Sequence, residues 1–313
     1  MSVILILGLF VFITGICIGS FLNVVILRAF SNESISYPAS KCPKCQTPLK
    51  WYHNIPLFSY AFLKGRCAFC KEKISIQYPI IELITGIIFV IIFFRFGFSL
   101  ETIMMWFLCS VMLVLSVTDL KEKVIFDKHA YFLIGGGLIF NLLNLNPVYQ
   151  KFITFPFAIN FSINASFIAS ILGIIVGIAV MEILARTGYL LAGTRAFGEG
   201  DTYIAAGLGA IFGWKISVFV LLLAIILQLI VTIPMFLIKL FKEKDFLTIL
   251  LSIIFVIAIY ITKIQVPYSE ILLLISGIVL CIRILKGLKK DSDFMYLPFG
   301  PAMLLAGFMF ILL

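Results

Sequence analysis

Long apolar runs separated by short basic loops set the pattern of this chain. The runs fall at 3–27, 79–98, 100–118, 129–146, 166–185, 202–213, 215–238, 246–262, 268–285 and 298–313. A bilayer-spanning helix takes about 20 mostly apolar residues. A transmembrane barrel would instead alternate apolar and polar side chains at every second position. Helices and closed barrels alone satisfy their backbone polar groups in lipid. The pattern therefore predicts an all-α fold, a polytopic membrane bundle of about ten spans. The sixth run is short and carries Gly207, Gly209 and Gly213. It predicts a tight turn over Gly213-Trp214-Lys215 and close helix approach through small residues.

The loops orient the bundle. With the N-terminus outside, every Lys and Arg except Arg95, Lys151, Lys215 and Lys263 falls on the cytoplasmic side. Such a bias is what the positive-inside rule requires. The 30–78 loop and both Asp119 and Asp201 then lie at the cytoplasmic face. Residues 3–27 have no basic region before them and no convincing small-residue cleavage site after them, so they are expected to be a retained span.

Composition agrees. The 313 residues are 62% hydrophobic and 12% charged, with a mean hydropathy of +1.17. Soluble domains carry about twice that charged fraction. The net charge of +9 resides in loops between spans, so it reports topology and not a nucleic-acid footprint. No repeat or low-complexity tract stands out.

The 30–78 loop is too small for a dependable core without a staple. It carries Cys42-Pro-Lys-Cys45 and Cys67-Ala-Phe-Cys70. Each C-x-x-C presents two thiolates from one turn, and two such turns complete a four-cysteine zinc site. Twenty-one residues separate the pairs, close to zinc-ribbon spacing. Disulfides are the alternative, but cytosolic thiols are kept reduced. Four protein ligands leave no open position, so the expected zinc is structural. Cys17, Cys109 and Cys281 lie in spans and read as packing residues.

Two acids stand at helix ends. Asp119 ends the third span, and Asp201 begins the sixth within Gly198-Glu199-Gly200-Asp201. A carboxylate pair can hydrolyse a peptide when one activates water and its protonated neighbour donates to the scissile carbonyl. Asp127 is the rival for the first position, although it reads more simply as a helix N-cap. Asp201 also has a capping alternative, but flanking Gly198 and Gly200 permit close backbone approach. Asn23, Glu82 and Glu182 would be costly facing lipid. Asn23 is expected to bond between helices. Glu182 is expected to pair with Arg186 at i+4.

The chain resembles the type IV prepilin peptidases, bifunctional leader peptidases and N-methyltransferases. The resemblance runs through Gly19-Ser-Phe-Leu-Asn-Val-Val-Ile-Leu-Arg28, the 42–60 stretch, Leu63-Lys-Gly-Arg66 with its cysteines, and Ile74-Ser-Ile-Gln-Tyr-Pro-Ile-Ile-Glu82. It continues at Asp119-Leu with Ile125-Phe-Asp127, at Gly198-Glu-Gly-Asp201 and at Pro298-Phe-Gly-Pro301. The resemblance implies a plasma-membrane endopeptidase with Asp119 and Asp201 catalytic, Gly198, Gly200 and Asp127 supporting them, and Glu82 either supporting the methylation module or binding the basic leader of the prepilin. It implies zinc on Cys42, Cys45, Cys67 and Cys70, and a methylation role for Gly65 and Arg66. The implied cofactors are zinc and S-adenosylmethionine. The implied partners are prepilins or pseudopilins and membrane lipid, with no nucleic acid. The division expected is a first span over 1–29, a zinc module over 30–78 and a peptidase bundle over 79–313. Within the bundle, 246–285 forms an extra helical hairpin. The chain has no Rossmann fingerprint. A peptidase without methylation stays open as an alternative, as does a scaffold or transporter with a docking ribbon.

Overall fold

A computed structural model describes residues 2–31, 33–143, 145, 165–192, 198–243, 246–263, 269–290 and 298–312. Lys151, Arg195 and the connection at 291–297 lie outside them. Among the described residues ten α-helices follow in order: α1 (Ser2–Ser31), α2 (Phe58–Phe62), α3 (Gln77–Phe96), α4 (Leu100–Glu122), α5 (Asp127–Leu142), α6 (Ala165–Ala192), α7 (Glu199–Glu243), α8 (Phe246–Lys263), α9 (Ser269–Lys290) and α10 (Gly300–Leu312). A 3₁₀ turn covers Trp51–Asn54. Among the described residues, α1, α3, α4, α6 and α7 are long and apolar enough to cross a membrane. Length and composition thus vouch for five of the expected crossings.

Local chemistry sets the helix ends. The Ser99 side chain accepts from the Thr102 N–H and caps α4, satisfying a donor that has no intrahelical partner. At its far end Lys123 adopts the left-handed conformation and donates its N–H to the Asp119 carbonyl. Gly97, with φ 67° and ψ −157°, a conformation open to glycine, ends α3 and donates its N–H to the Phe93 carbonyl. The expected cap at Asp127 falls one residue earlier, on Phe126, which offers no side-chain bond. Asp127 is instead the first helical residue, where its charge complements the helix dipole.

The break at Gly213 (φ 71°, ψ 172°) divides α7. Carbonyls of the preceding turn lose their helical partners there, and lipid offers none. Buried Asn141 from α5 donates to the carbonyls of Ala210 and Ile211 at 2.7 and 2.9 Å. Ser170 from α6 also donates to Ala210. Small residues bring α6 against α7: a β-carbon at Gly209 would meet the Gly173 carbonyl, and one at Gly177 the Ala205 carbonyl. The expected Glu182–Arg186 ion pair forms at 3.5 Å.

The core is built by α4, α5, α7 and α10, with Met112, Leu115, Leu133, Ile204, Leu208, Phe212, Met303 and Leu304 all fully buried. A second cluster of Leu22, Ile26, Ile81, Leu113 and Val114 joins α1 and α3 to α4. α8 and α9 pack on each other, with Phe255 against Gly277 and Arg283 donating to Thr248.

Candidate functional site

One end of the bundle gathers the acids. Asp119 occupies the last turn of α4 and Asp201 the first turn of α7. They are 4% and 8% exposed. The two carboxylates act on each other electrostatically, and the Gly300 N–H at the start of α10 serves both. Pro301 suits the first turn of that helix because its missing N–H would have had no partner there. The positive end of the α10 dipole faces the pair. Asp119 Oδ2 lies against Gly300 and has no hydrogen-bond partner among the described residues.

Asp201 Oδ2 accepts from the Gly198 N–H at 3.0 Å. Asp201 is therefore the third helical residue reaching back to the cap, one half of a capping box. The two flanking glycines differ in role. A β-carbon on Gly200 would strike Ile125 Cβ at 2.6 Å, so glycine lets the α4–α5 connection rest on α7. One on Gly198 would make only ordinary contacts. Asp127 acts electrostatically on Tyr203 in α7.

Gly300 is the residue that the sequence left without a role. Its segment stood out, but its contact with Asp119 joins distant parts of the chain. No local pattern carries that contact.

The four cysteines meet in the module. Their sulfurs lie within 4.8 Å of one another, with Cys42 Sγ and Cys70 Sγ 3.9 Å apart. A tetrahedral zinc with Zn–S bonds of about 2.3 Å sets its sulfurs about 3.8 Å apart, so the donor set fits zinc. Two matching knuckles present them. Cys42 N–H donates to Thr47 O and Cys67 N–H to Glu72 O, at 3.1 and 2.8 Å. Gln46 and Lys71 take positive φ, and Lys41 bridges Pro48 as Arg66 bridges Lys73. Leu49 donates to Ser40 as Ile74 does to Gly65. Residues 40–49 and 65–74 thus form a structural repeat hidden in the sequence, where little beyond the cysteines is shared. Hydrogen bonds from the Thr47 side chain and backbone hold the Cys45 thiol down at about 6, and bonds from the Cys70 and Phe69 backbone lower Cys67. Both shifts favour the thiolates that bind metal, whereas Cys70, despite a lowering bond from the Glu72 backbone, is pushed up to about 11 by burial and by its three sulfur neighbours.

Gly65 has φ +67°, and a β-carbon there would sit 3.0 Å from Tyr60 Oη. Arg66 is exposed on the outer edge of its knuckle. Glu82 in α3 is 7% exposed and accepts from the Leu57 N–H at 2.8 Å. Asn23 bonds between helices as expected, donating to the Tyr78 carbonyl at 3.1 Å. The module and the acids share one end of the bundle: Phe30 packs on Phe126 and under Lys121.

Comparison with known proteins agrees. Residues 13–96 match the model of the bacterial peptidase A24 N-terminal domain, and residues 106–233 that of the type IV leader peptidase family. A prepilin leader peptidase/N-methyltransferase of Myxococcus xanthus is 33% identical over 217 residues, which are 69% of this chain and 59% of that protein. One from Klebsiella pneumoniae is 32% identical over 69% of this chain and 90% of that protein. One from Neisseria gonorrhoeae is 31% identical over 64% and 72%. No solved structure matches.

Proposed function

The chain belongs to the type IV leader peptidase family, and we propose that it removes the short basic leader from prepilin-like substrates with Asp119 and Asp201, then N-methylates the new terminus. The observation that carries the peptidase reading is the meeting of two buried carboxylates, from separate helices, at the N-terminus of a third.

Their geometry suits proton sharing. One carboxylate takes a proton from water, and the hydroxide attacks the scissile carbonyl. The protonated partner donates to the carbonyl oxygen. The tetrahedral intermediate collapses, the C–N bond breaks, and a proton returns to the leaving amine. Unpartnered Asp119 Oδ2 is the atom we assign to the shared proton or to the incoming substrate. The Gly300 N–H and the α10 dipole hold the ionised member in place.

Cys42, Cys45, Cys67 and Cys70 hold a structural zinc that folds the knuckles. S-adenosylmethionine supplies the methyl group. Gly65 acts through Tyr60, whose ring it lets approach. The module and the acids face the cytoplasm, where the basic leader resides, and the N-terminus lies outside.

Incubating the purified protein with a prepilin and labelled S-adenosylmethionine, followed by mass analysis, tests both activities. Asp119→Asn and Asp201→Asn each keep nearly the same shape but cannot ionise. Each is expected to abolish leader removal with the protein still inserted and folded. Wild-type cleavage by either variant would sink the assignment.

A further inference from the structure

Between the cysteine knuckles and the adjoining ends of α1 and α3 lies a cavity of about 670 Å³. That is within the range of small-molecule pockets. Asn23 and Arg28 of α1, His53 and Tyr60 of the module, and Tyr78 and Glu82 of α3 contribute to its wall.

The wall carries polar groups that the protein itself leaves unmatched. Asn23 is 1% exposed. Its amide nitrogen donates to two carbonyls, but its Oδ1 has no partner among the described residues. His53 Nδ1 is also buried without one. Glu82 receives the Leu57 N–H and the Ser20 hydroxyl, yet no cation among the described residues pairs with it. Arg28 is occupied by the carbonyls of Ser34 and Pro38. Leu57 holds φ 61°, ψ −49°, a conformation that non-glycine residues keep only where the surroundings impose it. A buried carboxylate with no counter-ion is costly. The wall also holds Lys41 and Glu33, which pair with each other at 3.9 Å, so the cavity suits a ligand with a cationic centre beside Glu82 and hydrogen-bonding groups at its ends.

We propose that this cavity is the methyl-donor site, holding S-adenosylmethionine with Glu82 facing the sulfonium and with Asn23 Oδ1 and His53 Nδ1 meeting its polar ends. The inference rests on the methylation reading above. In the transfer, the amine lone pair forms the N–C bond while the methyl C–S bond breaks. The bonding electrons stay on sulfur, and one proton leaves the new ammonium for water. The product is a neutral thioether, so the attraction to Glu82 is lost as the reaction completes. Glu82 thereby favours donor over spent product. The cavity and the acid pair share one end of the bundle, where Phe30 of α1 meets Phe126 and Lys121.

Calorimetric binding to metal-replete protein in detergent tests this, with S-adenosylmethionine and S-adenosylhomocysteine as probes. The wild type is expected to bind the sulfonium more tightly than the thioether. Glu82→Gln should weaken the sulfonium by about tenfold and remove that preference. Ser59→Trp, which fills the cavity from α2, should weaken both probes with zinc content unchanged. If Glu82→Gln loses zinc, the Ser59→Trp result decides. A wild type that binds and methylates, with both variants binding like it, would place the donor elsewhere and leave the methylation reading standing. A wild type that neither binds nor methylates would remove that reading and the inference with it. Loss of leader-peptide binding in Glu82→Gln, with donor binding intact, would assign the cavity to the peptide and overturn the proposal.

Discussion

A β-carbon added at Gly300 would sit 2.4 Å from Asp119 Oδ2 and 2.9 Å from Ile204 Cδ1. Ile204 is fully buried, so the carboxylate is the group that must move. Gly300→Ala is therefore expected to slow leader cleavage by about 100-fold, the scale of a 1 Å misplacement. Methylation of a pre-cleaved pilin by the same preparation should persist, which separates this effect from misfolding. Cleavage at the wild-type rate would show that Asp119 is free to shift without consequence. Single residues were legible in the sequence where a motif named them. Asp119 and Asp201 stood at helix ends with a recognisable setting, and their burial together is what the structure adds. Gly300 was not legible, because its role is a contact with a carboxylate on another helix. Asp127 misled for a local reason: a residue before a span suggests a cap, but the helix begins at Asp127 itself and Phe126 takes the cap position.

The elements show the same division between local and distant causes. Continuous apolar runs made the helices readable, and the Gly213 break was foreseeable from the Gly-Trp-Lys sequence. Its repair by Asn141 and Ser170 was not, since it depends on which helices pack at that depth. The knuckles were readable as cysteine pairs, whereas their matching backbone bonds were hidden behind unlike side chains. Those bonds are few, and besides Cys42 and Cys45 the stretch 40–49 holds only Ser40, Thr47 and Leu49 half-buried, Leu49 being its one large apolar side chain. Metal binding must then supply most of the folding free energy of the module. Stripping the metal with a chelator should raise hydrogen exchange across 40–49 and 65–74 first, with α4 and α7 unchanged. Cys45→Ser should reproduce the pattern in both knuckles, because each contributes two of the four ligands. Exchange that rises only in the mutated knuckle would mean that the two turns are not joined through a shared ion.

For the whole molecule, the question is which helices the acid pair needs. The pair is held by α4, α7 and α10, and these with α5 make the main core. α8 and α9 precede α10 in the chain and pack chiefly on each other, through Arg283 to Thr248 and Phe255 to Gly277, while α8 also meets α7 and α9 meets α6 at the flank of the bundle. A pair of antiparallel apolar helices also returns the chain to the side it left. Removing 246–290 should therefore keep α10 on its native side and leave Gly300 able to reach Asp119. The shortened protein is expected to cleave prepilin, provided the remaining connection spans the gap; a flexible glycine-serine replacement of the hairpin supplies that length. Cysteine-accessibility mapping should find the 40–74 module and a reporter placed after Leu312 on unchanged sides. A shortened protein that inserts with this topology but no longer cleaves would show that the hairpin itself positions α10, and would move it from the periphery of the peptidase into its working core.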